Sequence, residues 1–448
     1  MSGATLVWFQ QDLRLADNPA LDAAIKRKQP VIPVYIWSPG EDGQWTPGAA
    51  SRWWLHQSLA SLDQDLRKRG SRLVLMQGDA SQVLPALAKS TGADAVYWNR
   101  RYEPHAIARE RNLEATLEGA KSFNGSLLVE PWDLLNKSGK PYQVYTPFKR
   151  RLQLEVKPAP VLRAPSRLPA PSRWPKGTSL ESLRLMPKIE WYQAMQKFWR
   201  PGEAGAQSRL KTFLKMRLDD YPTARERPAV PGTSNLSPHL HFGEISPRQV
   251  WHALGAKGRG SQFLAELIWR EFAYHLLVHF PQTPLKPLRP EFAAFPWKKD
   301  AKSLRAWQKG LTGQPLVDAG MRELWATGYM HNRVRMIVAS FLVKNLLIPW
   351  QEGARWFWDT LVDADLANNT LNWQWVSGCG ADAAPYFRIF NPESQTQRFD
   401  PERLYIRQWA PEFQDPKRYP KLIVDLRESR EAALDAYSEM RAKKRGAA

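Results

Sequence analysis

Apolar residues in the first third of the chain come in short runs, at Leu6–Phe9, Val31–Trp37, Arg72–Met76, Ala93–Trp98 and Ser126–Val129. Between them lie longer amphipathic stretches, such as Arg52–Arg69 and Ala80–Thr91. Strands separated by helices predict a doubly wound, Rossmann-like parallel sheet with helices on both faces. Gly78 and Asp79 fall at a strand end, where such sheets bind ligands. There is no G-x-G-x-x-G, so a dinucleotide site in this half has no sequence support.

The pattern loosens from Trp132 to about Gly205. Pro158, Pro160, Pro165, Pro169, Pro171 and Pro175 rule out regular helix there, and the segment reads as a long connector wrapping over the surface. After Ala206 the periodicity predicts helices at Gln207–Leu218, Pro247–Ala256, Gly260–His279, Ser303–Leu311, Asp318–Thr327, Arg333–Leu347 and Gly353–Leu361. The chain thus divides into an α/β N-terminal domain (1–131), a connector (132–205), an all-α C-terminal domain (206–441) and a short basic tail (442–448), the tail read as a frayed helix end. No internal repeat is visible.

At 448 residues the chain can hold two domains, each with a core. Its 64 basic and 44 acidic residues leave a formal charge of +20 and a pI near 9.9. That surplus points to a polyanionic partner, nucleic acid ahead of membrane, although a generally basic soluble enzyme would look the same. No window approaches the ~20 apolar residues of a membrane span. Met1 to Thr5 lead straight into an apolar strand with no signal-peptide pattern, so a cytoplasmic protein is expected, and a monomer. Cys379 is the only cysteine. This excludes an intrachain disulfide and a Cys-ligated iron–sulfur cluster, and it fits a reducing compartment. Cys379 itself is expected to be a small buried hydrophobe.

The most informative stretch is Asp363 to Pro392, D-A-D-L-A-N-N-T-L-N-W-Q-W-V-S-G-C-G-A-D-A-A-P-Y-F-R-I-F-N-P. Two acids, two adjacent amides and two tryptophans fall within thirteen positions. Carboxylates and amides are costly to bury without partners, so the mixture suits a pocket for a large planar polar ligand. Upstream, Tyr221 precedes Gly232-Thr233-Ser234-Asn235-Leu236-Ser237-Pro238. Ser237 before Pro238 reads as an N-cap with proline at the first helical position. Such an end, with nearby hydroxyls, suits a pyrophosphate, though many Ser-Pro helix starts bind nothing. His239 and His241 lack the further ligands a metal would need and read as pocket or core residues.

On the helix carrying E-L-I-W-R-E-F, the spacing puts Glu266, Trp269 and Arg270 on one face. Together they can bond a base edge, stack on it and hold a phosphate; a salt-bridged face over a buried tryptophan is the plainer alternative. In M-H-N-R-V-R-M, Asn332 offers donor and acceptor, and Met336 adds soft bulk one turn later.

These motifs together resemble the photolyase/cryptochrome family, over nearly the whole chain and most densely from Tyr221 to Pro392. Val7–Arg14 and Asp17–Leu21 match its first strand and loop, with Gln10 and Gln11 where arginines are common, read as a local surface effect. The resemblance implies an FAD-binding helical domain, with the flavin held by Tyr221, Thr233, Ser234, Asn235, Leu236, Ser237, Phe263, Arg335, Asp363, Asp365 and Asn369. It pairs Arg335 with Asp363 against the flavin ring and places Asn369 at flavin N5. It implies an electron chain of Trp373, Trp350 and Trp297, leaving Trp307 and Trp356 as packing residues among the 21 tryptophans.

For the substrate, the resemblance implies contacts by Glu266, Trp269, Arg270, Asn332, Arg333, Met336 and Trp375. Asparagine and methionine at 332 and 336 are the choice of enzymes that repair cyclobutane pyrimidine dimers (CPDs), whereas 6-4 photolyases place histidines there. The implied activity is light-driven CPD repair in DNA. The wording around Asn369 is most similar to class III CPD photolyases. Tyr102-Glu103-Pro104-His105-Ala106 lacks the Asn-Glu pair of folate-type class I enzymes. An antenna at a different site is therefore implied, methenyltetrahydrofolate ahead of a deazaflavin. Three alternatives remain: a cryptochrome-like photoreceptor, a single-strand-specific enzyme of the DASH type, and a basic nucleic-acid-binding protein without flavin. Against the photoreceptor stand Asn369, the Glu266–Trp269–Asn332–Met336–Trp375 set, and only about fifty residues after the last motif.

Overall fold

Apolar and aromatic residues fill the first two strands, and the structure buries them completely. In the computed structural model, which describes residues 3–258, 260–383 and 387–446, every residue of β1 (Ala4–Phe9) and β2 (Val31–Trp37) is buried. With β3 (Val74–Gln77), β4 (Ala93–Asn99) and β5 (Ala120–Phe123) they form a five-stranded parallel sheet of order β3-β2-β1-β4-β5. Trp8 sits in register with Val34 on one side and Trp98 on the other. Burial on both faces explains why these strands read as continuous apolar runs. Helices α1 (Pro19–Lys26), α2 (Ala49–Arg67), α3 (Ala80–Thr91) and α4 (Pro104–Thr116) each follow a strand. The first two pack on Val7, Phe9 and Val31, the other two on Leu6, Trp8 and Val34. Strand order reverses between β1 and β4, which opens a crevice at their carboxyl ends.

The fifth strand corrects the sequence reading. Ser126–Val129 is not a strand; the edge strand is Ala120–Phe123, only partly buried and without an apolar run. Leu127 and Leu128 are apolar for another reason, since they pack among residues of the helical domain. The backbone N–H of Leu128 also donates to Glu271 Oε2 at 2.8 Å.

The proline-rich segment follows the α/β domain, pinned by hydrogen bonds from Asp17 N to Leu162 O and from Val31 N to Pro169 O. Leu168, Leu183 and Leu185 enter that domain's core. The connector is not wholly irregular: it contains helix α5 (Tyr145–Glu155), with Pro147 in its first turn, and the single turn α6 (Met195–Phe198).

The helical domain comprises α7 (Glu203–Met216), α8 (Tyr221–Ala224), α9 (Ser237–His241), α10 (Pro247–Gly258), α11 (Gln262–His279), α12 (Ala301–Gln308), α13 (Pro315–Thr327), α14 (Asn332–Ser340), α15 (Trp350–Thr360), α16 (Leu366–Ser377), α17 (Pro392–Phe399), α18 (Leu404–Trp409) and α19 (Leu426–Gly446). α14 runs directly into a π-helical turn at Phe341–Asn345. α16 is central. Leu366, Ala367 and Leu371 join the core around α11, whereas Trp373 and Val376 join the core around α14 and α15. Asp365 caps its start by accepting from Asn368 N, and Gly378 ends it at φ 89°, a left-handed conformation that favours glycine. Among the described residues no helix is long and apolar enough to cross a membrane.

Candidate active site

Between α14, α15 and α16 lies a cavity of about 550 Å³. α14 contributes Asn332, Arg335 and Met336; the α15–α16 junction contributes Asp363, Ala364 and Asp365. Asn368, Asn369, Asn372 and Trp373 project from α16. Spacings of three and four put the three asparagines on one polar face of α16, with Trp373 at its edge on the side that feeds the core around α14 and α15. The costly mixture of acids, amides and tryptophan is therefore this cavity's wall.

The acids are braced. Asp363 accepts from Arg335 Nη2 at 2.9 and 3.1 Å and from Ser237 Oγ at 2.6 Å. Burial alone would lower the basicity of Arg335, but Asp363 and its other anionic neighbours carry it above the usual value. Asp365 accepts from Asn368 Nδ2 at 2.8 Å, from Tyr274 Oη at 2.5 Å, and faces His241 Nδ1 at 3.4 Å. Burial pushes its pKa up, yet the His241 interaction and the other contacts outweigh this and hold it well below the usual carboxylate range. Asn369 donates from Nδ2 to Ala354 O at 3.1 Å, which fixes its amide. A paired carboxylate, a capped carboxylate and neutral amides form a donor and acceptor set that fits a flavin's ring and ribose.

The 232–238 loop differs from expectation in one respect. Ser237 is not the N-cap of α9; Leu236 occupies that position without a side-chain bond, and the Ser237 hydroxyl turns to Asp363 instead. A buried carboxylate needs donors more than the five-residue helix needs a cap. Thr233 Oγ1 donates to Asn235 Oδ1 at 2.8 Å, and Leu236 N donates to Ser234 Oγ at 3.3 Å. Tyr221 and Phe263 meet edge to face at 5.3 Å.

The residues read as substrate contacts divide. Asn332 and Met336 line the cavity, whereas Glu266, Trp269, Arg333 and Trp375 stand outside its lining. Glu266 accepts from Arg225 Nη1 at 2.5 Å and Gln262 Nε2 at 2.8 Å. Arg333 pairs with Glu226 and covers the Phe399 ring at 4.4 Å. Arg388 lies over Trp375 at 5.3 Å. Arg270 does not share an open face with Glu266 and Trp269. It is 8% exposed and its guanidinium is spent on Ser126 O at 2.9 Å and on the Tyr274 ring. A long side chain reaches a buried carbonyl that helical spacing alone does not reveal.

Sequence reading missed Tyr145. It stacks on Trp269 with ring centroids 3.6 Å apart and planes at 7°, and its hydroxyl donates to Ala265 O at 2.6 Å. Its place in the loosely patterned connector hid it. Aromatic pairs contribute about 0.5–1.5 kcal/mol beyond area. Tyr145→Ala should therefore lower the melting midpoint by about 3–10 °C, since truncating a buried aromatic costs about 3–5 kcal/mol. An unchanged midpoint in a thermal melt would show that the stack carries no stability.

Among the tryptophans, Trp373 is 2% exposed and packs edge-on to Phe357 at 5.0 Å and Trp307 at 6.3 Å. Trp350 is buried in the same core and Trp297 lies at its margin, 4.4 Å from Phe295. Trp307 bonds Val338 O, and Trp356 stacks on Trp325. Cys379 is buried, and burial pushes its thiol up to about 12. His239 bonds Glu244. Among the described residues no cluster of three or more His, Cys, Asp or Glu side chains is arranged to hold a metal.

A second cavity, of about 710 Å³, lies beyond the carboxyl ends of the neighbouring strands β1 and β2. Trp8, Tyr35, Trp37, Trp45 and Trp358 supply aromatic walls, and Gln10, Asp42, Arg101 and Arg109 supply polar groups. His241 and Ala364 line it from the helical domain, so Ala364 borders both cavities. Gln10 is therefore no surface substitution: it is buried, donating to Glu110 Oε1 at 2.9 Å and accepting from Arg109 Nη2 at 2.7 Å. Gly78 and Asp79 lie outside this lining, and Asp79 instead caps α3.

Comparison with known proteins follows the same geometry. Residues 263–417 match the family model described as the FAD binding domain of DNA photolyase, and residues 5–171 match the one described as DNA photolyase. A deoxyribodipyrimidine photo-lyase of Agrobacterium fabrum is 48% identical, over 97% of this chain and 98% of that one. The chain belongs to the photolyase/cryptochrome family. Cryptochrome-2 of Arabidopsis thaliana is 40% identical, over 92% of this chain and 71% of that protein. The crystal structure of a bacterial class III photolyase from Agrobacterium tumefaciens superposes with a TM-score of 0.93 at 47% identity, covering 99% of this chain and 98% of that one. An α/β domain joined to a helical FAD-binding domain is the photolyase fold, and this family member has both.

Proposed function

We propose that this photolyase-family chain repairs cyclobutane pyrimidine dimers in DNA by light, with reduced FAD bound in the cavity between α14, α15 and α16. The observation that carries the reading is that Asn332 and Met336 share one cavity with Asn369, Trp373 and the Arg335–Asp363 pair. When bound, photoexcited reduced FAD supplies the electron that splits the dimer and accepts it back.

The protein's own groups do the rest. Asp363, Asp365 and Asn369 would hold the ring and ribose, while Ser237 ties to Asp363 the Thr233–Leu236 loop that would carry the diphosphate. Tyr221 and Phe263 back that loop. A neutral amide at 369 would put no further negative charge beside a bound flavin whose working form is anionic. Glu266, oriented by Arg225 and Gln262, accepts from the pyrimidine N–H. Trp269 and Trp375 wall the dimer, and Asn332 and Met336 complete its pocket. Neither 332 nor 336 is a histidine, in keeping with a ring opening that needs an electron and its return but no proton. Arg333 and the basic surplus meet DNA phosphates, so affinity falls as salt rises. The dimer leaves the base stack to reach the site, as photolyase substrates do.

The second cavity suits an antenna pigment. Its tryptophans can stack on a planar heterocycle, while Arg101 and Arg109 are already paired with Asp42, Glu103 and Glu41. The pigment implied by the motifs is methenyltetrahydrofolate ahead of a deazaflavin.

The test is incubation of chemically reduced protein with an oligonucleotide carrying one thymine CPD, in blue light and in darkness. Light-dependent recovery of intact thymines is the expected result. No recovery from protein shown to hold reduced flavin would favour a signalling photoreceptor. Activity on single-stranded but not duplex DNA would favour the DASH-type alternative.

A further inference from the structure

Gly353 stands in the first turn of α15, three residues after Trp350. Glycine is a poor helix former, and its backbone here has no positive φ that would call for it. The requirement comes from Trp373 on α16. A methyl group built on Gly353 would lie 2.0 Å from Cη2 of that indole, with Cζ3 at 2.5 Å and Cζ2 at 2.6 Å. The benzo edge of Trp373 therefore rests directly on the α15 backbone.

No protein hydrogen bond steers the ring, because its buried Nε1 has no partner among the described residues. Packing sets its place: Gly353 under the benzo edge, Phe357 one turn further along α15, and Trp307 on a second side. Trp350 and Gly353 share a face of α15. The same contact thus brings Trp373 onto the turn that carries Trp350.

We propose that Gly353 is a positioning residue of the electron relay, its missing side chain seating Trp373 against α15 and fixing the gaps on either side of that ring. The inference rests on the reading of Trp373 and Trp350 as the flavin's electron source. During photoreduction one electron would leave Trp373 for the oxidised flavin, Trp350 would refill Trp373, Trp297 would refill Trp350, and an added thiol would refill Trp297, releasing its proton and ending as half of a disulfide. Two such rounds, with proton uptake from solvent, would complete the reduction. Transfer between aromatic rings falls steeply with their separation, so a ring lifted off α15 slows the hops on either side of it.

The experiment compares FAD-loaded Gly353→Ala, Trp373→Phe and the double variant. Gly353→Ala should slow light-driven bleaching of oxidised flavin in the presence of thiol by at least about tenfold. It should also lower the melting midpoint by about 2–6 °C, as overpacking does. Phenylalanine lacks the benzo edge that the new methyl meets. In the Trp373→Phe background the same substitution should therefore cost less than about 1 °C. Bleaching of Gly353→Ala at the parent rate, or an equal melting loss in both backgrounds, overturns the proposal. If Gly353→Ala releases its flavin, the melting comparison decides alone. Unchanged bleaching in Trp373→Phe itself would instead remove the relay reading, and this proposal with it.

Discussion

Trp373→Phe will leave flavin bound but cut photoreduction of its oxidised form by about 100-fold, or about 2.7 kcal/mol of activation free energy. Phenylalanine keeps most of the packing against Phe357 and Trp307, and a benzene ring is far harder to oxidise than an indole. Protein reduced chemically beforehand should still repair, because the proposed relay would only replenish the flavin and would take no part in splitting the dimer. Bleaching under blue light with added thiol, followed by the repair assay on dithionite-reduced protein, separates the two roles. Photoreduction that survives the substitution would mean another route delivers the electron, and would demote the Trp373–Trp350–Trp297 series to packing.

Asp363→Ala will empty the cavity. The carboxylate is the shared partner of the Arg335 guanidinium and the Ser237 hydroxyl. Removing it strands a mostly enclosed cation; deleting one member of a fully buried pair costs about 3–5 kcal/mol, and the partial exposure of Arg335 brings this to about 2–4 kcal/mol. It also frees the loop that Ser237 anchors. Flavin affinity should fall by about 30–1000-fold, each tenfold step corresponding to about 1.4 kcal/mol. The flavin-to-protein absorbance ratio after dialysis reads the outcome directly. Asp363→Asn, which keeps an acceptor for Ser237 but loses the charge, should fall between the two. A variant that retains full flavin would place the binding energy elsewhere, with Asp365 and the amides of α16.

Sequence carried the architecture wherever burial is two-sided or periodic. β1 and β2 were legible because both faces are covered, and α3 because its apolar residues repeat at helical spacing from a capped start to a terminal glycine. β5 was not, since an edge strand of Ala-Lys-Ser-Phe shows no apolar run, while the interface leucines 127 and 128 imitate one. In the cavity, Arg335, Asp363, Asp365 and Asn369 were recognisable from motif wording, and helical spacing explains how α16 presents several of its residues together. Their bracing was hidden because its partners come from afar: Ser237, His241 and Tyr274 reach these acids across about 90 or more residues. Arg270 and Gln10 show the converse, polar residues that read as exposed yet are consumed inside by partners the spacing does not reveal.

Ala364 faces both cavities. Its methyl group is the one side chain, among the described residues, that lines both, and any larger residue takes its volume from one chamber or the other. Position 364 is thus answerable to two chambers at once, and a change of size in either would be felt at the same codon.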